Sequence, residues 1–420
     1  MQIFAASYLL PVSSPPMEGG AIAVEKGRIV DVGKLSDLRS AYPWEVREFP
    51  GCAIIPGFVN AHSHLELSHF PSWKIRKGID YSPRTYVDWV IQVIKINRGL
   101  TRHERELSLR EGIRISLESG TTAIGDIITD CSHLGLYADS AISGRLFLEA
   151  IGQDPLRCSA QLARLETELT LFSDPKILPG LSPHAPHTLS DTFMKDLAAM
   201  AAAKNVPMSI HVAESRDEID FVFDSSGKIA ELLYPHVGWN DYIPSPRKTT
   251  PVAFLEKLGM LNGAPTAVHC VHVTPSDAKI LKRHGVRVVI CPRSNDKLDV
   301  GRAPVHLFKK LDIPVALGTD SLASNDSLSM QDEMNYLLRN FPGVFTHGEV
   351  LRMATLGAAD AIGLAHETGS LDKGKRADFL VMEMGGGVPS EAALAKGLVE
   401  GGKLIEVFTD GKSLTPRDPD

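Results

Sequence analysis

The sequence predicts an α/β protein, a (β/α)8 TIM barrel with a small β-sandwich domain built from both chain ends. Eight short apolar runs alternate with longer amphipathic ones, a rhythm that implies parallel pairing through right-handed crossovers. The chain has 420 residues, enough for a barrel of ~250 residues with insertions and an appended domain. Its two ends carry a different pattern, short alternating strands broken by turn residues. An open doubly wound sheet is the competing arrangement that pattern alone leaves standing.

Near the N-terminus, AIAVEKGRIVDVG (21–33) alternates around Lys26-Gly27 like a hairpin. The eight barrel strands are then CAIIPGFVN (52–60), TTAIGDI (121–127), RLFLEAI (145–151), KILPGLSP (176–183), VPMSIHV (206–212), PTAVHCV (265–271), VRVVICP (286–292) and PVALGTD (314–320). Between them, 84–100 places Val87, Val90, Ile91 and Ile94 at helical spacing, and 190–205 opens on Ser190 as an N-cap. GSLDKGKRADFLVME (369–383) and LIEVFTDGKSL (404–414) return to short strands with turns. Residues 1–56 and 366–420 are therefore expected to form one composite β domain, and 57–365 the barrel.

Composition excludes several classes of function. Lys plus Arg number 44 against 51 Asp plus Glu, a net charge of −7, so the basic footprint of a nucleic-acid binder is missing. No run reaches the ~18 apolar residues of a membrane span. The five cysteines are scattered without a CxxC pair, which reads as free thiols in a reducing compartment. The opening MQIFAASYLLPV has no basic residue before its apolar run, unlike a secretory signal. The expectation is a cytoplasmic protein acting on a small molecule, with a homodimer as the commonest assembly.

Several histidines fall at the C-terminal ends of predicted strands, where barrel active sites are built. His62 and His64 follow strand one, two apart on an extended segment, so their side chains share a face suited to gripping one metal ion. His211 ends strand five with Glu214 three residues on, His269 ends strand six, and Asp320 ends strand eight. Each has an ordinary reading on its own: a polar turn, a surface helix start, a satisfied core histidine, a helix N-cap. Their convergence on one rim favours a metal site. Three histidines and an aspartate suit one divalent ion, Zn2+, with Fe2+ as the alternative.

PGFVNAHSHLELS, SIHVAES, AVHCVHV and ALGTDSLASNDSLS resemble the signature segments of the amidohydrolase superfamily. The likeness is to its metal-dependent aminohydrolases, which deaminate adenine- and guanine-type rings, cytosine and S-adenosylhomocysteine, and to related chlorohydrolases. It extends through ATLGAADAIGL (354–364) and GSLDKGKRADFLVME (369–383). The resemblance implies that His62, His64, His211 and Asp320 hold the metal. It makes Glu214 the proton shuttle, and His269 and Asp320 partners of the reacting water. It places His184, in LSPHAP, and Ser324 against the substrate. One subdivision carries two metals on a modified lysine at the end of strand four; that end reads Leu181-Ser182-Pro183-His184 here, which implies one metal. Many relatives have an Asn-Pro motif at strand seven, whereas this chain has Cys291-Pro292-Arg293-Ser294-Asn295. Arg293 there suits a planar carboxylate or phosphate, the alternative being a salt bridge to a neighbouring loop. Ser294 and Lys297 also match an S-x-x-K pattern formally, without its companion motifs.

The implied reaction is hydrolytic deamination: metal-bound hydroxide attacks the amino-bearing carbon of an adenosine-like ring and ammonia leaves. Glu66, His184 and Ser324 are expected to hydrogen-bond the ring, and Arg293 an anionic group. HSHLELS with CPRSN is similar to deaminases of 6-amino-6-deoxyfutalosine, an adenosine-like nucleoside bearing a benzoate. A dechlorinase or cyclic-amide hydrolase on the same metal site is the second expectation, and a non-catalytic scaffold the third.

Overall fold

The computed structural model describes residues 1–79, 82–384 and 390–414. Five strands open the chain: β1 (Gln2–Leu9), β2 (Met17–Glu18), β3 (Gly20–Glu25), β4 (Arg28–Lys34) and β5 (Glu45–Pro56). The β3–β4 turn has Lys26 at φ 50° and Gly27 at φ 76°. Two left-handed residues are what a two-residue hairpin needs to match strand twist.

The single strand expected over 52–60 is two. β5 runs to Pro56 beside β1, and β6 (Phe58–Ser63) starts afresh beside β7 (Thr121–Ile128). Gly57 lies at the change of direction, where a Cβ would sit 2.1 Å from Thr122 Oγ1. The backbone can cross that close to β7 only without a side chain.

β6 and β7 continue with β8 (Ser143–Ala150) and β9 (Ile177–Pro183) as a four-stranded parallel sheet. β10 (Ser209–Val212), β11 (Thr266–His269), β12 (Arg287–Ile290) and β13 (Val315–Leu317) form a second. Single parallel bridges link the two sheets, Leu181 of β9 to Met208 just before β10 and Ser63 of β6 to Asp320 just after β13. Alternate residues separate onto two faces. Val59, Ala61, Ala123, Ile127, Val268, Val289 and Ala316 pack in one interior cluster, while Ile124, Ile128, Ala267, Val288 and Leu317 pack outward with helical residues. Strands buried on both faces read as continuous apolar runs, which is why their pattern was visible in the sequence. The helices expected over 84–100 and 190–205 are Tyr86–Asn97 and Asp191–Lys204, capped by Thr85 and Ser190.

β14 (Phe379–Glu383), β15 (Lys403–Thr409) and β16 (Lys412–Ser413) join β1–β5 in one eight-stranded mixed sheet. A sandwich with two separately paired sheets is not what forms. Phe4 of β1 lies 5.0 Å from Phe379 of β14 and 5.1 Å from Phe408 of β15, although β5 separates β1 from β14 and both β5 and β14 separate it from β15. Neighbouring strands are ~4.8 Å apart, so the sheet must curl to bring these rings together. One sheet thus encloses its own aromatic core. Residues 385–389 and 415–420 of the expected C-terminal segment lie outside the described residues. Among the described residues, no helix is long and apolar enough to cross a membrane, and the five cysteines are free.

Candidate active site

The mouths of β6, β9, β10, β11 and β13 bring His62, His64, His184, His211, His269 and Asp320 together. Asn60 ties β6 to the segment after β13. Its Nδ2 donates to Thr319 Oγ1 at 2.7 Å, its Oδ1 accepts from Thr319 N at 3.1 Å, and Asp320 N donates to His62 O at 3.0 Å. Gly318 permits this approach, because a Cβ there would lie 2.8 Å from His62 Cβ. On the other flank, Asp126 accepts from Ser63 Oγ at 2.7 Å and Leu65 N at 3.0 Å, pinning the turn that carries His64.

One ligand atom from each of His62, His64 and His211 lies within 4.8 Å of the others. Asp320 Oδ1 is 3.8 Å from Nε2 of both His62 and His64. His211 Nδ1 meets the His184 carbonyl at 2.7 Å; donating there leaves the Nε2 lone pair free, as a metal ligand needs. Burial and then the neighbouring imidazoles push His62 and His184 well below the ordinary histidine range, and burial first takes His211 to about 3. These rings are neutral at pH 7. Neither nitrogen of buried His62 has a hydrogen-bond partner, a costly condition in a protein interior. Four converging donors, one of them orphaned, fit a divalent cation. Three imidazoles and a carboxylate suit zinc or iron(II).

Asp320 is fixed from its other side. Its Oδ2 accepts from Ser294 Oγ and Ser324 Oγ, each at 2.7 Å, and its Oδ1 from Ser321 N at 2.8 Å. Burial raises its pKa, but the imidazoles of His64 and His269 and the two hydroxyls pull it down further, so the net shift is downward. Asp320 (φ 59°), His269 (φ 69°) and Ala213 (φ 53°) are left-handed non-glycine residues at strand mouths. Such backbone costs of order 1–3 kcal/mol each and persists where its surroundings demand it.

Glu214 is buried beside this cluster. Its Oε2 accepts from Tyr86 Oη at 2.9 Å, while Oε1 faces His269 Nε2 at 3.7 Å. His269 Nδ1 meets Asn295 Oδ1 at 2.9 Å, which leaves Nε2 toward Glu214. Burial raises the Glu214 carboxyl above the ordinary range. The Glu218 carboxylate receives the backbone N–H groups of Ala213 and Glu214 at 2.9 and 3.0 Å, holding the strained turn that aims Glu214. A buried carboxyl of raised pKa, with one oxygen not taken up by Tyr86, is equipped to exchange protons with a bound substrate.

A cavity of about 350 Å3 opens onto these groups, the size of a small-molecule site. Of the expected substrate contacts, Glu66 and His184 line it. Burial lifts Glu66 to about 7, and its Oε2 accepts from Thr129 Oγ1 at 2.9 Å. His184 Nδ1 meets Thr188 Oγ1 at 3.0 Å, and that hydroxyl donates to Ala185 O, so His184 Nε2 is left as an acceptor.

Two expectations are corrected. Arg293 does not line the cavity. It pairs with Asp326, donates to Asn325 Oδ1 at 3.2 Å and lies 3.7 Å from Glu333 Oε1; carboxylates on the next loop and helix claim the guanidinium. Ser324 does not line it either, because its loop doubles back through Asn325 N to Ser321 O and delivers the hydroxyl to Asp320. Tyr86, Trp89, Arg105, Glu149 and Ser294 escaped the sequence reading. Only Ser294 carried a signal, the S-x-x-K coincidence. It is a support for Asp320, and Lys297 donates to Asn325 O.

Residues 53–414 match the amidohydrolase family, and residues 20–43 match an imidazolonepropionase-like composite domain of bacteria. The chain is 32% identical over 358 residues to an aminodeoxyfutalosine deaminase of Deinococcus radiodurans, covering 82% of this chain and 81% of that one. It is 31% identical over 395 residues to a 5-methylthioadenosine/S-adenosylhomocysteine deaminase of Moorella thermoacetica, covering 90% and 84%. Helicobacter pylori aminofutalosine deaminase, solved with methylthio-coformycin, superposes with a TM-score of 0.87 at 22% identity, covering 99% of this chain and all of that one.

Proposed function

This chain belongs to the amidohydrolase family, and we propose that it is a metal-dependent hydrolase that deaminates an adenosine-like small molecule. Two parallel sheets bridged at both edges are read as one closed (β/α)8 barrel. The observation that carries the site is buried His62, with two unpartnered nitrogens among His64, His211 and Asp320. Those four residues would hold one divalent ion, zinc by the chemistry of the set. When bound, such an ion supplies an activated water by lowering its pKa from 15.7 to about 7.

The remaining work belongs to this chain's side chains. Glu214 moves protons: Oε1, the oxygen Tyr86 does not occupy, takes one from the attacking water and returns it to the ring. The amino-bearing carbon gains a bond to oxygen, and the remaining proton of that oxygen passes to the amino nitrogen. The carbon–nitrogen bond breaks with its electron pair on that nitrogen, which leaves as ammonia while the oxygen becomes the ring carbonyl. His269, turned by Asn295, steadies the water and Glu214 through Nε2. His184 Nε2 accepts an N–H of the ring system. Trp89, Val90 and Val93 line the cavity and exclude bulk water. For the substrate we favour 6-amino-6-deoxyfutalosine, on the support of the Deinococcus relative.

Ammonia release by metal-loaded enzyme tests the reading against this nucleoside, adenosine, 5-methylthioadenosine, S-adenosylhomocysteine, aminopyrimidines and chlorotriazines. The expected result is ammonia from adenosine-like compounds, fastest with the favoured one. Chloride release without ammonia, or no turnover of any member, overturns it.

A further inference from the structure

One cationic side chain lines the cavity among the described residues, and the mechanism above does not use it. Arg105, on the helix Arg102–Glu118, donates from Nη2 to the Asn97 carbonyl at 3.2 Å. No ion pair joins it to any carboxylate of the described residues, so four of the five guanidinium N–H donors have no protein partner among them.

The helix Tyr86–Asn97 shows where Arg105 stands relative to the chemistry. Tyr86, Trp89, Val90, Val93, Ile94 and Asn97 turn toward the cavity at spacings of three and one, a single helix face. Tyr86 at one end touches Glu214, and Asn97 at the other touches Arg105. Eleven residues at ~1.5 Å rise separate those contacts by ~16 Å. The wall between is one indole and three branched aliphatic side chains. The cavity is therefore a largely apolar slot with proton chemistry at one end and, at the other, a cation without an ion pair whose charge is felt by the Glu66 carboxyl in the same lining.

We propose that Arg105 is an anion subsite that selects amino-heterocycles joined through a flat apolar group to a carboxylate. The inference rests on the deaminase reading and adds its specificity element. A guanidinium offers a carboxylate two parallel N–H donors, and the slot leaves a charged group no other partner. A carboxylate on an aromatic ring matches both features, since the ring fills the apolar wall and the charge arrives at its far end.

The test compares an adenine nucleoside carrying a 5′-linked benzoate with its methyl ester, on metal-loaded enzyme. Kd is read by calorimetry and KM by ammonia release. Wild type should favour the acid by on the order of 10- to 100-fold in both readouts, the range of a charge-assisted hydrogen bond. Arg105→Gln, which keeps length and a donor but no charge, should bring the acid-to-ester ratio toward one. Arg105→Lys should retain part of the preference. The ratio is internal to each variant, so altered folding does not imitate the effect. A preference that survives in Arg105→Gln, or is missing from wild type, overturns the proposal. If neither compound releases ammonia but the Arg105-dependent preference in Kd persists, the deaminase reading falls and the subsite stands. An equal Arg105-dependent preference for AMP over adenosine would assign the cation to a phosphate beside the sugar and overturn the aryl-carboxylate form.

Discussion

The hydroxyl of Tyr86 donates to Oε2 of Glu214 at 2.9 Å, across 128 residues of sequence and between two buried side chains. The bond leaves Glu214 one oxygen for chemistry and favours its ionised form, against the burial that raises its pKa.

Tyr86→Phe removes that donor, so the Glu214 pKa should rise. A base that must be ionised then loses activity first at acid pH. The acid limb of kcat should move upward by about one pH unit, the worth of one hydrogen bond to a charged group. A uniform loss at every pH would reduce Tyr86 to a packing residue.

Glu214→Gln keeps shape but cannot carry a proton. Turnover should fall at least ~100-fold, the usual contribution of a positioned acid–base group, with metal content unchanged by elemental analysis. Near-normal turnover would remove Glu214 from the mechanism.

Chelation should abolish activity and lower the Tm, because it returns His62 to its orphaned state. At metal 100-fold above Kd the lost stabilisation is about 2.7 kcal/mol. His62→Ala should make the Tm insensitive to chelator. A fully active, chelator-treated protein would end the metalloenzyme reading.

Ser324→Ala deletes one of two hydroxyls on Asp320 Oδ2. Metal affinity should drop about 10- to 100-fold, as for other groups that orient a ligand, with KM little changed at saturating metal. A large rise in KM alone would restore Ser324 to the substrate.

Arg293→Ala should leave the KM of every substrate unchanged and lower stability. Burial takes the Glu333 carboxyl to about 8, above its unfolded value of 4.5, while Arg293 pulls it back. A raised carboxyl stabilises below pH 4.5 and loses that contribution as pH climbs through 8. Without Arg293 the folded pKa rises further, so the variant should lose more stability at pH 9 than at pH 6 in denaturant unfolding. Equal losses would show that the pair with exposed Asp326 is all that mattered, worth about 0.2–1 kcal/mol.

What was legible in the sequence had a local cause. Strands buried on both faces declared themselves as apolar runs, and the Lys26-Gly27 turn by its glycine. His62, His64, His211, His269, Glu214 and Asp320 stood out because each lies at or within three residues of a strand's C-terminal end, where barrel sites are built. Beyond the strand ends that logic stops. Arg293 and Ser324 are each close in sequence to a strand mouth, yet the loop 321–326 turned one to Asp326 and the other to Asp320. Tyr86 and Arg105 sit on helices whose sequence shows only which face is apolar, not that this face meets a cavity. Direction along a strand is a property of a few bonds. Which carboxylate an arginine reaches, 33 residues away for Arg293, and which hydroxyl reaches an active-site glutamate, 128 residues away for Tyr86, depend on how separate segments pack, and only the assembled tertiary structure decides that.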